Sequence, residues 1–172
     1  MFFSVLIFHL LRVECTAPPH LVISKYNEDT NWSSAWPGPV TICTHGLPNG
    51  TCNVPLNKGA ESSAYLLFIL QNWPRLPNVI AFVDAKERSW HQTHDKIKCA
   101  LSVNSRYYSG INDLRIDTAP NPTWDYERFC EIWVVIVQPH MPLPCPRRII
   151  TDGSGQFVVT KEAITRNKKS LY

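Results

Sequence analysis

A chain of 172 residues, 44% of them hydrophobic, is long enough for one domain with a true apolar core. Its formal net charge of +3 comes from interspersed acids and bases, which gives no case for a nucleic-acid partner. Fourteen prolines against seven glycines predict stiff, irregular connections.

The chain opens on an apolar block, Met1 to Leu11, followed by Arg12, Val13, Glu14 and Cys15. The block falls short of the ~20 apolar residues that span a bilayer, so no transmembrane span is expected. It predicts a signal peptide over residues 1–15, with Val13 and Cys15 acceptable before the cleavage point. The expectation is therefore a secreted or secretory-pathway protein, with residues 16–172 forming a single α/β domain. Leu21 to Lys25 reads as a first buried strand, Tyr26 to Trp32 as a polar loop, and Pro39 to Cys43 as a second strand. Asn57-Lys58-Gly59 supplies turn and helix-start residues, and Glu61 suits the positive end of a helix dipole. Ala64, Leu67, Phe68 and Leu70 recur near helical spacing until Pro74 ends the pattern. Val79 to Val83 has the β-branched, continuous apolar character of a strand buried on both faces.

Beyond that strand the pattern weakens. Trp90 to Ser105 suits a short helix, and Asp117 to Thr123 reads as a loop. In Asp125 to Val137, acids at helical spacing compete with the strand-like WVVIV; a helix beginning near Trp124 is favoured, with Cys130 facing the core. Met141 to Arg148 must be extended, and Gly155 to Thr160 is a short strand whose Thr160 can cap a closing helix. The basic run Arg166, Lys168, Lys169 then forms a solvated face of that helix. Strands alternating with helices predict an α/β sheet that is at least partly parallel.

Cys43 and Cys52 flank a loop containing proline and glycine and are expected to form a local disulfide. Cys99, Cys130 and Cys145 can supply a second bond and one thiol. No pair has the CxxC spacing of structural zinc. Sequons at Asn31 and Asn49 permit N-glycosylation in a secreted chain.

The best site candidate is the tip of the buried strand, since ligands of open α/β sheets sit outside the carboxyl ends of strands. Asp84, Lys86, Glu87, Arg88, Trp90, His91, His94 and Asp95 follow there. Asp84 can ligate Mg²⁺ or Mn²⁺, or can simply form a turn as the chain leaves the strand. Lys86 can neutralise a diphosphate as a point charge, or be an ordinary loop lysine. His91 can act as general base or bind a sugar hydroxyl beside a stacking Trp90. With His94 and Asp95 it also makes a metal-like H-x-x-H-D if the segment is helical. Lys58 at the helix start can bind an anion, and Glu28 and Asp29 in the first loop can bind ribose or sugar hydroxyls.

These blocks carry a resemblance. LVISKYNEDTNW, VPLNKGAESSAYLLFILQNWPRLPNVIAFVDAKERSWH and DGSGQFVVTKEAITR resemble a eukaryotic and viral family catalogued as domain of unknown function 3431. The match rests on Glu28, Asp29 and Trp32; on Asn57, Lys58, Gly59, Glu61, Tyr65 and Leu66; on Leu76, Pro77, Phe82, Trp90 and His91; and on Gln156, Phe157 and Val159. Ala60 stands where the family often has arginine, and Asp84 and Lys86 stand where it often has histidine.

The order of elements is in turn similar to the type A glycosyltransferases. That likeness implies a three-layer, glycosyltransferase-A-like fold around a mostly parallel or mixed sheet, a nucleotide-sugar donor and a glycan or glycoprotein acceptor. It also implies Mg²⁺ or Mn²⁺ held by an Asp-x-Asp, where this chain reads Asp84-Ala85-Lys86. In this reading Asp84 or Lys86 holds the diphosphate, Lys58 assists, and His91 or Asp95 activates the acceptor hydroxyl. The alternative is a non-catalytic glycan-binding module.

Overall fold

The computed structural model describes residues 17–46, 52–56, 58–88, 95–103, 107–112, 115–117, 125–140, 142–152 and 155–172. The expected leader, together with Asn49, Asn57, Trp90, His91 and His94, lies outside the described residues.

Six strands form the main sheet: β1 (His20–Lys25), β2 (Val40–His45), β3 (Cys52–Val54), β4 (Val79–Asp84), β5 (Tyr108–Gly110) and β8 (Phe157–Thr160). Their order across the sheet is β3-β2-β1-β4-β8-β5. The first four are mutually parallel, while β8 runs antiparallel to both β4 and β5. The sheet is therefore mixed. A separate antiparallel pair joins β6 (Arg115–Asp117) to β7 (Ile150–Asp152). Four α-helices occur among the described residues: α1 (Ala60–Asn72), α2 (Lys96–Ser102), α3 (Tyr126–Ile132) and α4 (Lys161–Thr165).

Strand alternation sorts the core into two faces. Val22, Cys43, Ile80, Phe82 and Val159 pack with Ala64, Tyr65, Phe68 and Ile69 of α1 and Ile164 of α4. Leu21, Ile23, Ala81, Val83 and Val158 pack on the other side with Trp36, Ile111 and Ala100 of α2. Covering both faces explains why β1 and β4 read as unbroken apolar runs. Phe82 is completely buried and meets the rings of Tyr65, Phe68 and Phe157 at centroid distances of 4.8, 6.1 and 5.3 Å.

Three local expectations change. The buried stripe of α1 is Ala64, Tyr65, Phe68 and Ile69, with Leu67 and Leu70 only half-buried, because the helix turns its aromatics onto Phe82 and Phe157. The helix predicted near Trp124 exists, capped by the Asp125 carboxylate accepting from the Arg128 N–H at 2.9 Å, and it continues as a π-helical turn, Trp133–Val137. It does not face the core: α3 buries none of its residues, Val135 is 74% exposed, and Cys130 is instead bonded to Cys145. Finally α4, capped by Thr160 as predicted, stops at Thr165, so the basic run follows the helix and is not a face of it. Arg166 there lies over the Tyr107 ring at 3.9 Å and pairs with Glu162.

The expected Cys43–Cys52 disulfide is present, and β3, an edge strand that the hydrophobic pattern did not announce, pairs in parallel with β2 so that the two cysteines stand opposite each other. Only nine positions separate them. The bond closes this short connection where parallel strands ordinarily need a crossover of a dozen or more residues.

Replacing Phe82 with alanine should cost about 3–5 kcal/mol in urea unfolding, because the cavity opens among three aromatic rings. Replacing Cys43 and Cys52 together with alanine should cost about 2–3 kcal/mol by the same measurement, since the loop they close is short.

Candidate functional site

The sheet order reverses direction between β1 and β4: the chain moves outward from β1 to β2 and β3, then returns through α1 to β4 on the other side. The carboxyl ends at such a reversal are where open α/β sheets leave a crevice. Register sets their level, with Ser24 opposite both Cys43 and Asp84. On the α1 face, each strand's apolar series ends in a polar residue, passing from Val22 to Ser24, from Cys43 to His45 and from Phe82 to Asp84. These three residues line a cavity of about 280 Å³ with Lys25, Tyr26, Glu28, Ala85 and Lys86 from the strand ends, and Ala60 and Glu61 from the start of α1.

Two glycines flank residues that line the cavity. Gly46, at φ 71°, turns the chain straight after His45 and donates its N–H to the Val54 carbonyl at 2.9 Å. Gly59, at φ 77°, swings the chain into α1, and Ala60 follows at φ 46°, a left-handed conformation that costs a non-glycine residue about 1–2 kcal/mol. Backbone strain of this kind gathers at ligand-binding sites.

His45 is only 3% exposed. Its Nε2 lies 2.9 Å from the Ser24 hydroxyl, and its Nδ1 is buried with no partner among the described residues. Asp84 closes β4 and accepts from the Gln156 side-chain N–H at 3.3 Å. Tyr65, one turn along α1 from Glu61, has a buried hydroxyl without a partner among the described residues. Burial, and then the Glu61 and Asp84 carboxylates, push its pKa well above the ordinary value of 10.0.

Glu28 accepts the Tyr26 N–H at 2.8 Å. Burial raises its pKa, but the backbone N–H groups of Tyr26, Glu28 and Asn27, together with the Lys86 ammonium, outweigh this and hold it below the ordinary 4.5. The cavity thus carries three carboxylates and two lysines around a histidine–serine pair. Such a lining offers hydrogen-bond donors and acceptors suited to a polar ligand. A second hollow of about 370 Å³, lined by Tyr65, Phe82, Phe157 and Tyr172 among others, has almost wholly apolar walls and offers little comparable chemistry.

Of the residues singled out from sequence, the fold brings Glu28, Glu61, Asp84 and Lys86 together at this cavity. Asp29 is exposed, its carboxylate accepting the Asn31 N–H as a turn residue, and Lys58 is exposed without lining the cavity. Asp95 does not line it either. Its Oδ1 accepts the N–H groups of Ile97 and Lys98 at 2.9 and 3.2 Å, so it caps α2. Trp90 and His91 fall outside the described residues, as does the sequon at Asn49, whereas Asn31 is exposed at the start of a 3₁₀ turn. Ser24 and His45 were not picked out from sequence. Their signal was a polar side chain at the end of a buried strand, in phase with the apolar residue two positions before it.

No group of three histidine, cysteine, aspartate or glutamate side chains suited to a metal ion occurs among the described residues. Among them, too, no helix is long and apolar enough to cross a membrane. The two disulfides are consistent with a secreted or lumenal protein. The family model described as protein of unknown function (DUF3431) matches residues 21–172. No curated protein and no solved structure matches the chain.

The depressed Glu28 pKa stabilises the fold above the unfolded value of 4.5, and that contribution is lost as the pH falls through the folded value. A carboxyl NMR titration should show Glu28 with a midpoint below that of an ordinary glutamate, and Lys86→Met should move that midpoint upward.

Proposed function

The chain belongs to the DUF3431 family, and we propose that it is a glycosyltransferase-like protein of the secretory pathway, moving a sugar from a nucleotide donor to a glycan or glycoprotein acceptor. One observation carries this reading: a polar cavity sits at the switch point of the sheet, with Asp84 ending the strand beside it and Lys86 two residues on. Carboxylates accept hydrogen bonds from sugar and ribose hydroxyls, which suits Glu28 and Glu61. Lys86 and Lys25 line the cavity, and their ammonium groups suit a diphosphate.

The donor set fits a weakly held hard cation better than a dedicated metal cage. Mg²⁺ is commonly bound through one or two carboxylates and completed by substrate phosphates and water, and Asp84 would be the protein ligand for it or for Mn²⁺. Such an ion, when bound, would neutralise charge on the diphosphate. Asp84, Lys86 and Lys25 would then position the donor against Glu28 and Glu61, with α1 closing one side of the cavity. The disulfides and the exposed sequon at Asn31 support a secreted or lumenal, glycosylated setting.

A second reading, a non-catalytic glycan-binding module, draws on the Asp84-Ala85-Lys86 sequence, in which a cation stands where a second carboxylate would be expected. Thermal unfolding with a panel of nucleotide sugars, with and without Mn²⁺, separates the two. A ligand at about 100 times its Kd adds about 2.7 kcal/mol. The transferase reading predicts such stabilisation by at least one nucleotide sugar, and its loss in Asp84→Asn. If the whole panel leaves the melting temperature unchanged, the glycan-binding reading replaces it.

A further inference from the structure

We propose that the His45–Ser24 pair is a sugar-hydroxyl binding position within the cavity, with His45 Nδ1 as the atom that meets the ligand. The inference rests on the sugar-binding half of the proposed function and assigns the sugar unit, as distinct from the diphosphate, to the β1–β2 side.

The chemistry of the imidazole picks out the ligand class. Nε2 is engaged with Ser24 Oγ at 2.9 Å, so Nδ1 is the ring atom left to pair with something else, and it is buried without a partner among the described residues. Buried polar atoms are almost always hydrogen-bonded, so an unpartnered ring nitrogen on a histidine that lines a cavity calls for an occupant. Ser24 can donate to Nε2, leaving the proton on Nδ1, or accept from Nε2–H, leaving Nδ1 as an acceptor. A hydroxyl donates and accepts, and so satisfies either tautomer. A fully ionised diphosphate or a carboxylate can only accept, so it satisfies only one, and it would also approach Glu28, Glu61 and Asp84. Those carboxylates instead suit the remaining hydroxyls of a neutral sugar.

The pair is held rigidly. Gly46 turns the chain immediately after His45, the Cys43–Cys52 disulfide lies two residues before it, and His45 stands opposite Val54 in the ladder. A fixed donor–acceptor position of this kind limits the ordering a ligand must impose on binding.

The test uses the full chain and neutral monosaccharides as probes, with imidazole nitrogen NMR as the readout. One sugar of a panel should shift the His45 Nδ1 resonance. His45→Gln places its amide near the Nε2 position, retains a partner for Ser24, and should weaken that sugar by about tenfold or more. His45→Asn places its amide near Nδ1 and should retain more of the affinity than His45→Gln. If a sugar binds while the His45 ring resonances stay unmoved, or with equal affinity in His45→Gln, the assignment is wrong. It is equally wrong if inorganic phosphate moves Nδ1 and no sugar does. Stabilisation by a bare nucleoside diphosphate, unaffected by His45→Gln, reports separately on the transferase reading. A His45 response to free sugar without any nucleotide effect would retain this site and remove that reading.

Discussion

The parallel register of β1 with β2 and β4 is the constraint on which the site depends. It sets Ser24 level with Cys43 and Asp84, so that three strands end together and their last α1-facing side chains converge. A slip of one residue in any strand would turn that side chain to the opposite face. The core prevents the slip, because the same alternation carries Val22, Cys43 and Phe82 into contact with α1. Packing and site geometry are therefore two consequences of one pattern. Hydrophobic burial holds the register, and the register places the polar residues where the core gives way to the cavity.

Much of this was legible in the sequence because burial leaves a strong signature. Val79 to Val83 had the signature of a strand covered on both faces, and the Asn57-Lys58-Gly59 turn announced α1. The family resemblance located the same blocks. What escaped was set by contacts distant in sequence. The edge strand β3 is three residues long and is defined by pairing with β2, which local pattern cannot show. WVVIV carries the composition of a buried element, yet it extends an exposed helix through a π-helical turn. Cys130, expected to face the core there, is instead tied to Cys145.

The candidate site shows the same division. Glu28, Glu61, Asp84 and Lys86 were identifiable as polar residues next to recognisable elements, and the fold gathers them. Asp95 belonged to the same sequence neighbourhood as Asp84, but its carboxylate is committed to the first N–H groups of α2. Proximity along the chain was a poor guide in that case. His45 and Ser24 lie 21 positions apart and meet only because β1 and β2 pair. A residue's position within its strand was the better clue, since each of the three polar strand ends follows a buried apolar residue two positions earlier.

The central claim is that the strand-end cavity, and not the apolar hollow beside α4, is where this protein meets its ligand. A crystallographic soak with a mixed set of small sugars, nucleotides and aromatic fragments tests that claim most directly. The account predicts hydroxyl-rich fragments in the cavity, within hydrogen-bonding distance of His45, Asp84 or Glu28. Fragments that collect only between Tyr65, Phe157 and Tyr172, with the strand-end cavity left to solvent, would contradict it.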